Sequence, residues 1–188
     1  MQKQLVGLIA ALLTVAPTVT RAQERSRPTS ATDVTKADIE TVLASPEGGI
    51  DRQVRVIDAG NSNVAVGILH RGPTLGTDDA VGGLVHTEVA EVYYVLSGSG
   101  MLTTGGTLDN PEPRPPDSES VTILVGPSIA GTSRNGHTRR ISAGDVVVIP
   151  AGVFHGWSDI EDHVTYLSVR PDTGRVLPAG YVNPALEK

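Results

Sequence analysis

The sequence has 188 residues, with 15 Lys plus Arg, 21 Asp plus Glu and no cysteine, and its formal net charge is −6. A chain of this length can fold as one domain with a sizeable core. The acidic balance argues against nucleic-acid binding, and the lack of cysteine excludes disulfides and thiolate chemistry. Any protein metal site must therefore use His, Asp or Glu side chains, and there are five histidines.

The beginning of the chain has the pattern of a secretory signal peptide, residues 1–22. Lys3 provides a positive start, residues 5–16 form an apolar run, and Thr20 and Ala22 are small residues suited to a cleavage site. The run is shorter than the roughly 20 residues that span a bilayer. We therefore predict an exported protein, periplasmic or secreted, with no integral membrane segment after processing. Removing this segment leaves 13 basic against 21 acidic residues, a net charge of −8.

One short helix is predicted in an N-terminal extension, residues 23–48. Thr35 and Asp38 have the spacing of a capping box, apolar residues follow at 39–43, and Pro46 ends the pattern.

From residue 49 to residue 170 the pattern changes to short alternating or apolar runs separated by turns rich in Gly, Asn and Pro. Runs at intervals of about 8–12 residues are typical of an all-β barrel or sandwich. The predicted strands are residues 53–59, 63–69, 83–86, 92–96, 101–104, 121–125, 137–141, 146–149, 155–157 and 164–170.

Three segments lack a clear strand pattern. Residues 105–120 contain four prolines and are interpreted as an excursion from the β core, either a flexible insertion or a lid over a site. Residues 126–136 are rich in turn formers. The C-terminal tail, residues 171–188, contains Pro and Gly with scattered apolar residues and is expected to lie along the surface.

Two stretches combine a histidine with a strand and a glycine-containing turn. In residues 144–159 a strand, a tight turn and a second strand place His155 on the second arm of a hairpin, where a rigid strand can hold an imidazole in place. In residues 84–98, His86 and Glu91 precede a strand and a closing glycine. The two hairpins could share one metal ion.

These stretches resemble the two motifs of the cupin superfamily. The second family motif, G-x5-P-x-G-x2-H-x3-N, is matched by Gly144, Pro150, Gly152 and His155, and it differs only at Asp159.

The first family motif, G-x5-H-x-H-x3,4-E-x6-G, is matched only in its second half, by His86, Glu91 and Gly98. Leu84 stands where the family has its first histidine, and Asp78 stands where it has the opening glycine.

The resemblance covers residues 53–170 and implies a cupin jelly-roll β-barrel, often dimeric, with a divalent metal inside it. Carried over by position, the metal ligands would be His86, Glu91 and His155. Two imidazoles and one carboxylate with open positions suit Fe(II), and they also accommodate Mn, Co, Ni or Zn. With Leu84 in place of a fourth ligand, a three-ligand site would have room for water or substrate.

Glu88 and Tyr93 are the candidates for catalytic roles. Glu88 lies two residues from His86 and could act as an acid or base near the ion, although a Glu at such a position is more often a rim or surface residue. Tyr93 shares the parity of Glu91 and is a candidate for the pocket wall or for ordinary core. The odd spacing of His86 and Glu91 predicts a bulge or turn between them.

The fold does not choose the reaction. The leading hypothesis is a metal-dependent enzyme acting on a small oxygen-bearing molecule that chelates the ion, with dioxygenase chemistry first. The alternatives are a lyase or isomerase in which Glu88 or a tyrosine moves a proton, and a non-catalytic exported module that binds a metal or a small molecule. A homodimer is compatible with the resemblance, but the sequence has no decisive signal for it.

Overall fold

The computed structural model describes residues 28–46, 48–74, 76 and 80–187. The predicted signal peptide, residues 1–22, lies outside the described residues. Among the residues that are described, no helix is both long and apolar enough to cross a membrane.

The described part of the chain is mostly β structure, with one short α-helix and ten strands. The helix α1 spans Lys36–Ala44, and the strands are β1 (Asp51–Asp58), β2 (Asn63–Arg71), β3 (Val81–His86), β4 (Glu91–Thr104), β5 (Thr107–Pro113), β6 (Ser128–Arg134), β7 (His137–Ser142), β8 (Val146–Ile149), β9 (His155–Ser158) and β10 (Val164–Asp172). A π-helical turn spans Ser120–Leu124, and a 3-10 turn spans Pro184–Leu186.

Helix α1 begins at the predicted capping box. The Thr35 hydroxyl accepts a hydrogen bond from the Asp38 backbone N–H at 3.1 Å, and the Asp38 carboxylate accepts one from the Thr35 N–H at 3.3 Å. The helix buries Val42 against Val54 of β1 and Ile68 of β2. The predicted short helix is confirmed.

The strands form one curled antiparallel sheet in the order β1-β2-β10-β4-β9-β3-β6-β5, and β7 and β8 also pair with β4. The first half of β4 pairs with β8 and β10, and its second half pairs with β7 and β9. The predicted all-β class is confirmed as a half-barrel of the jelly-roll type. β4 therefore links the two groups of strands, and its first residue, Glu91, is buried inside the half-barrel.

The sequence predicted two strands, 92–96 and 101–104, where the structure has the single strand β4. Gly98 lies between them with φ +73°, and a Cβ there would collide with the backbone carbonyl of His163. Glycine is needed for this close approach. The glycine that indicated a turn is instead the point where one continuous strand bends.

The interpretation of residues 105–120 as an excursion was wrong for its first half, which forms β5. β5 contains two prolines, and it is tolerated because it is the last strand of the sheet order and carries a register irregularity. The segment 126–136, expected to be turns, contains β6. Residues 121–125, expected as a strand, lie largely in the π-helical turn.

The tail is partly buried. The Leu177 side chain is 2% exposed and packs with Val56 and Ala65, and its N–H donates to the buried Asp172 carboxylate at 2.8 Å. Val182 forms an isolated antiparallel bridge with β1. The tail therefore pairs with β1 and packs Leu177 on the face of β1 and β2 that lies opposite to helix α1.

Candidate metal centre

The ends of three strands position the predicted ligands. His86 is the last residue of β3, Glu91 is the first residue of β4, and His155 is the first residue of β9. The residues between His86 and Glu91 form a bend, as their odd spacing predicted. Each strand end fixes the backbone of its residue, and the three ends lie close enough together for all three side chains to reach one point.

Close packing of β3 against β9 brings the two histidines together. The strands meet at Leu84 and His155, and a Cβ on Gly83 would lie 2.7 Å from the Phe154 ring and would collide with the His155 carbonyl. Only glycine allows the backbones to approach this closely. Gly83 is therefore part of what places His155.

The turn that precedes β9 is also attached to β3. Gly152 has φ +82°, and its N–H donates to the His86 carbonyl oxygen at 2.8 Å. The glycine of the second motif thus connects the two histidine-bearing segments directly, so that His86 and His155 are held by one hydrogen-bonded framework.

The three predicted ligands lie together in the interior. Glu91 Oε2 is 3.4 Å from His86 Nε2 and 3.1 Å from His155 Nε2. The exposed fractions of His86, Glu91 and His155 are 4%, 2% and 7%, and the atoms they offer lie within 4.8 Å of one another. The structure thus brings together the whole predicted ligand set.

Hydrogen bonds on the far side of each ring determine which nitrogen carries the proton. His155 Nδ1 lies 3.2 Å from the Val153 carbonyl oxygen, which can only accept. His86 Nδ1 lies 2.8 Å from Ser128 Oγ, whose hydroxyl donates to the Gly126 carbonyl and so accepts from the ring. Both rings therefore carry a proton on Nδ1, and both Nε2 atoms face the interior of the cluster.

The cluster consequently presents three lone-pair donors to one point. His86 and His155 offer Nε2, and Glu91 offers Oε2, which also accepts from the Tyr93 hydroxyl. A cation placed among these atoms could be bound by all three. Two imidazole nitrogens and one carboxylate oxygen are a donor set that a first-row divalent metal accepts, so the residues present fit a metal ion.

The other oxygen of Glu91 contacts a buried arginine. Glu91 Oε1 accepts from Ser168 Oγ at 2.7 Å and from Arg170 Nε at 3.0 Å. Arg170 also donates to Asp51 at 2.6 Å and to Gln53 at 2.8 Å, and it is fully buried. Arg170 therefore anchors Glu91 from behind and orients its free oxygen toward the histidines.

The surroundings of Glu91 and His86 shift their pKa values toward the charge states that bind a cation. Burial raises the pKa of Glu91, but the contacts with His155 and His86 and the charge of Arg170 outweigh burial and hold this pKa well below its usual value. Burial lowers the pKa of His86 despite the nearby Glu91. Glu91 is thus ionised and His86 neutral at neutral pH, which are the forms that bind metals.

The two predicted catalytic residues lie in different surroundings. The Tyr93 hydroxyl donates to Glu91 Oε2 at 2.8 Å, and burial together with the charge of Glu91 raises the pKa of Tyr93 well above its usual value. Tyr93 is therefore a neutral phenol next to the cluster. Glu88 is exposed in the bend between β3 and β4 and is not brought into the cluster.

A cavity of about 360 Å³ opens onto the cluster. Leu84, which stands where the family motif has a histidine, lines it, and so do Arg114 and Ser120 from the segment 105–120. This segment therefore forms part of the cavity wall. The complete lining is Ile50, Asp51, Leu69, Arg71, Gly83, Leu84, His86, Glu91, Tyr93, Arg114, Ser120, Leu124, Val125 and His155.

Sequence analysis missed the residues that support the ligands, above all Arg170 and Ser128. Arg170 looked like an ordinary strand end, although arginine within a strand of apolar residues was one available signal. Gly67 in the middle of β2 was another, because a glycine inside a strand often marks a close approach. A Cβ at Gly67 would lie 2.9 Å from Arg170 Nη1.

Comparison with solved structures finds similar folds at low identity. The BH2720 protein of Bacillus halodurans is 16% identical over 85% of this chain and 93% of its own, with a TM-score of 0.45. A double-stranded beta-helix protein of Klebsiella pneumoniae is 18% identical over 77% and 94%, with a TM-score of 0.44. The DMSP lyase DddQ of Ruegeria pomeroyi is 16% identical over 69% and 53%, with a TM-score of 0.40.

Curated protein sequences give no match. Residues 83–179, however, match the family model described as Cupin, and this region holds both histidine-bearing segments and every residue of the three-ligand cluster. The match spans more than half of the chain, and it agrees with the fold and with the resemblance seen in the two motifs. The chain belongs to the cupin family.

Proposed function

We propose that the protein is a mononuclear metal-dependent cupin enzyme acting on a small oxygen-bearing organic substrate, with Fe(II) as the favoured ion and dioxygenase chemistry as the leading reaction. The observation that carries this proposal is the convergence of His86 Nε2, His155 Nε2 and Glu91 Oε2 on one point at the wall of a cavity. A set of two histidines and one carboxylate with open positions is typical of non-heme Fe(II) oxygenases.

The open positions follow from the absence of a fourth side chain of suitable chemistry at Leu84. Leu84 lines the same cavity and pairs with His155 across β3 and β9, but it has no atom that could bind a metal. When bound, a divalent ion would supply Lewis-acid or O2-activating chemistry. The chain's own part is to hold three ligands rigid and to shape a cavity for a substrate with chelating oxygens.

The residues around the three ligands hold them in position. Arg170 and Ser168 hold Glu91 by one oxygen, and Ser128 holds His86 by Nδ1. Contacts of this kind fix ligand orientation in metal proteins and raise metal affinity. The Tyr93 phenol beside Glu91 donates a hydrogen bond to it, and because burial raises the pKa of Tyr93, little phenolate is present to act as a base.

The test is elemental analysis of residues 23–188 purified without a chelator, beside the variants His155→Ala and His163→Ala. We expect near-stoichiometric Fe, or Mn, Ni, Co or Zn, in the parent protein and no metal in His155→Ala. His163→Ala is the control, because its imidazole contacts Ser97 and Asp162 away from the cluster. Equal metal content in the two variants would refute the site.

The reaction class is tested by O2 uptake of the Fe(II)-loaded protein with phenolic, diketone and hydroxy-acid substrates. Uptake that is lost in His155→Ala would support the dioxygenase. Stoichiometric metal without O2 uptake would favour a lyase or isomerase if a product forms, and a binding module if none does. The predicted signal peptide supports placing this activity outside the cytoplasm.

A further inference from the structure

Two arginines line the same cavity as the metal cluster. Arg71 is the last residue of β2, and Arg114 follows directly after β5. They come from parts of the chain that are distant in sequence, and the curl of the sheet places both at one opening.

One hydrogen bond holds the Arg71 guanidinium in place. Its Nε donates to the Tyr166 hydroxyl at 3.1 Å, which fixes the plane of the guanidinium. Within the described residues its two terminal nitrogens make no hydrogen bond and no ion pair. A guanidinium held in this way presents a preorganised pair of donors, the arrangement that binds a carboxylate with two hydrogen bonds.

Arg114 is exposed, and its side chain likewise has no partner in the described part of the chain. Its backbone N–H donates to the Ser128 carbonyl at 2.8 Å, so the residue is fixed at the edge strand beside the site. Ser120 lines the same cavity and adds a hydroxyl donor.

The acids of the cavity make no ion pair with these arginines among the described residues, although, against the effect of burial, the charge of Asp51 contributes to raising the pKa of Arg71. Asp51 and Glu91 both line the cavity, but each is already paired with the buried Arg170, at 2.6 Å and 3.0 Å. The two acids and Arg170 together leave one negative charge, which a bound divalent metal would exceed. With Arg71 and Arg114 added, the loaded cavity carries an excess of positive charge.

We infer that the substrate carries a carboxylate in addition to the oxygens that chelate the metal, and that Arg71 and Arg114 bind this carboxylate. The inference rests on the proposed function, since it assigns the substrate class of that same site. It restricts the substrate to small organic acids with one chelating end and one anionic end. Neutral phenols and diketones would bind the metal but would leave both arginines without a partner.

The probe pair is malate and lactate. Both carry a 2-hydroxycarboxylate that can chelate a metal, and only malate has a second carboxylate. Binding is measured by calorimetry to the metal-loaded and to the chelator-treated protein, for the parent and for Arg71→Gln, Arg71→Lys, Arg114→Gln and Arg140→Gln. Arg140 is the charge-matched control, because it pairs with surface acids and does not line the cavity.

We expect the parent to bind malate more tightly than lactate, and we expect Arg71→Gln and Arg114→Gln each to weaken malate binding about tenfold while leaving lactate binding nearly unchanged. Arg71→Lys should recover part of the loss because it keeps the charge, and Arg140→Gln should behave like the parent. Arg114→Gln changes an exposed side chain and so should fold normally.

Metal content measured on the same preparations separates the two proposals. Metal-loaded protein that binds malate and lactate alike in every variant would overturn the carboxylate site and leave the metal centre standing. Protein that holds no metal but still loses malate binding in Arg71→Gln or Arg114→Gln would refute the metal centre and support the carboxylate site.

Discussion

The two oxygens of Glu91 belong to two buried polar clusters with opposite chemistry. The arginine cluster, on the Oε1 side, consists of Asp51, Gln53, Ser168 and Arg170, and its cation is part of the chain. The ligand cluster, on the Oε2 side, consists of Glu91 and two histidines, whose Nε2 atoms lie 3.4 and 3.1 Å from Oε2.

The difference shows how a buried charge can be compensated. Burial of unpaired charge is costly, and a folded chain avoids it by pairing or by binding a cation. The arginine cluster is complete in the polypeptide itself, because Arg170 contacts both Asp51 and Glu91. In the proposed function, a cation from solution completes the ligand cluster. Glu91 then serves a structural ion pair with one oxygen and the proposed metal site with the other.

The largest effect is expected from removing the cation that the chain itself supplies to the arginine cluster. Arg170→Met would leave the buried Glu91 and the partly buried Asp51 without their cationic partner, and we expect the free energy of unfolding to fall by about 3–5 kcal/mol. Urea denaturation of the metal-free protein measures the change.

Arg140→Met is the matched control for this experiment. Arg140 is 44% exposed in its side chain, and it pairs with Asp159 at 3.7 Å and Glu161 at 3.5 Å at the surface. Its loss should cost less than about 1 kcal/mol. Equal stability losses in the two variants would show that the arginine cluster contributes no more than a surface ion pair.

The two clusters also differ in how far the sequence could predict them. His86, Glu91 and His155 were predicted because their motifs are local and keep fixed spacings to glycine and proline. Arg170 was not predicted, because its partners Glu91 and Asp51 lie 79 and 119 residues away in sequence. No local pattern reports a hydrogen bond that depends on which strands become neighbours.

The same limit explains the errors in the fold. Most strands between residues 49 and 170 were predicted because apolar side chains repeat along each strand. β5 was missed because its prolines are tolerated only at the sheet edge, and the position of an edge depends on the whole topology. The bend of β4 at Gly98 was taken for a turn because the carbonyl of His163 that requires glycine there comes from a distant segment.

Removing the metal should destabilise the folded protein through the ligand cluster alone. A ligand present at a hundredfold its dissociation constant stabilises the folded state by about 2.7 kcal/mol, and a domain of this size then unfolds about 5–10 °C higher. Chelator treatment should lower the melting temperature by this amount, and restoring the ion should reverse it.

The variant His155→Ala controls for effects of the chelator itself. It lacks one of the two Nε2 atoms, so its melting temperature should not respond to chelator or to added metal. The arginine cluster remains intact in this variant, so any remaining response would show that the ion acts somewhere other than at the ligand cluster.

The smallest expected effect tests whether the ligand cluster depends on its own supporting contacts as the arginine cluster does. Ser128→Ala removes the hydroxyl that accepts from His86 Nδ1 at 2.8 Å, and loss of such a contact weakens metal binding by about 10–100-fold. Competition for Co(II) or Zn(II) with a chelating dye measures the change.

Ser133→Ala is the control, because Ser133 is a buried serine of the same strand that donates to Gly105. Ser128→Ala also loses the hydrogen bond that this hydroxyl donates to the Gly126 carbonyl, so its loss of stability is expected to be somewhat larger than that of Ser133→Ala. Only Ser128→Ala should lose metal affinity, and unchanged affinity would mean that the packing of β3 against β9 alone orients His86.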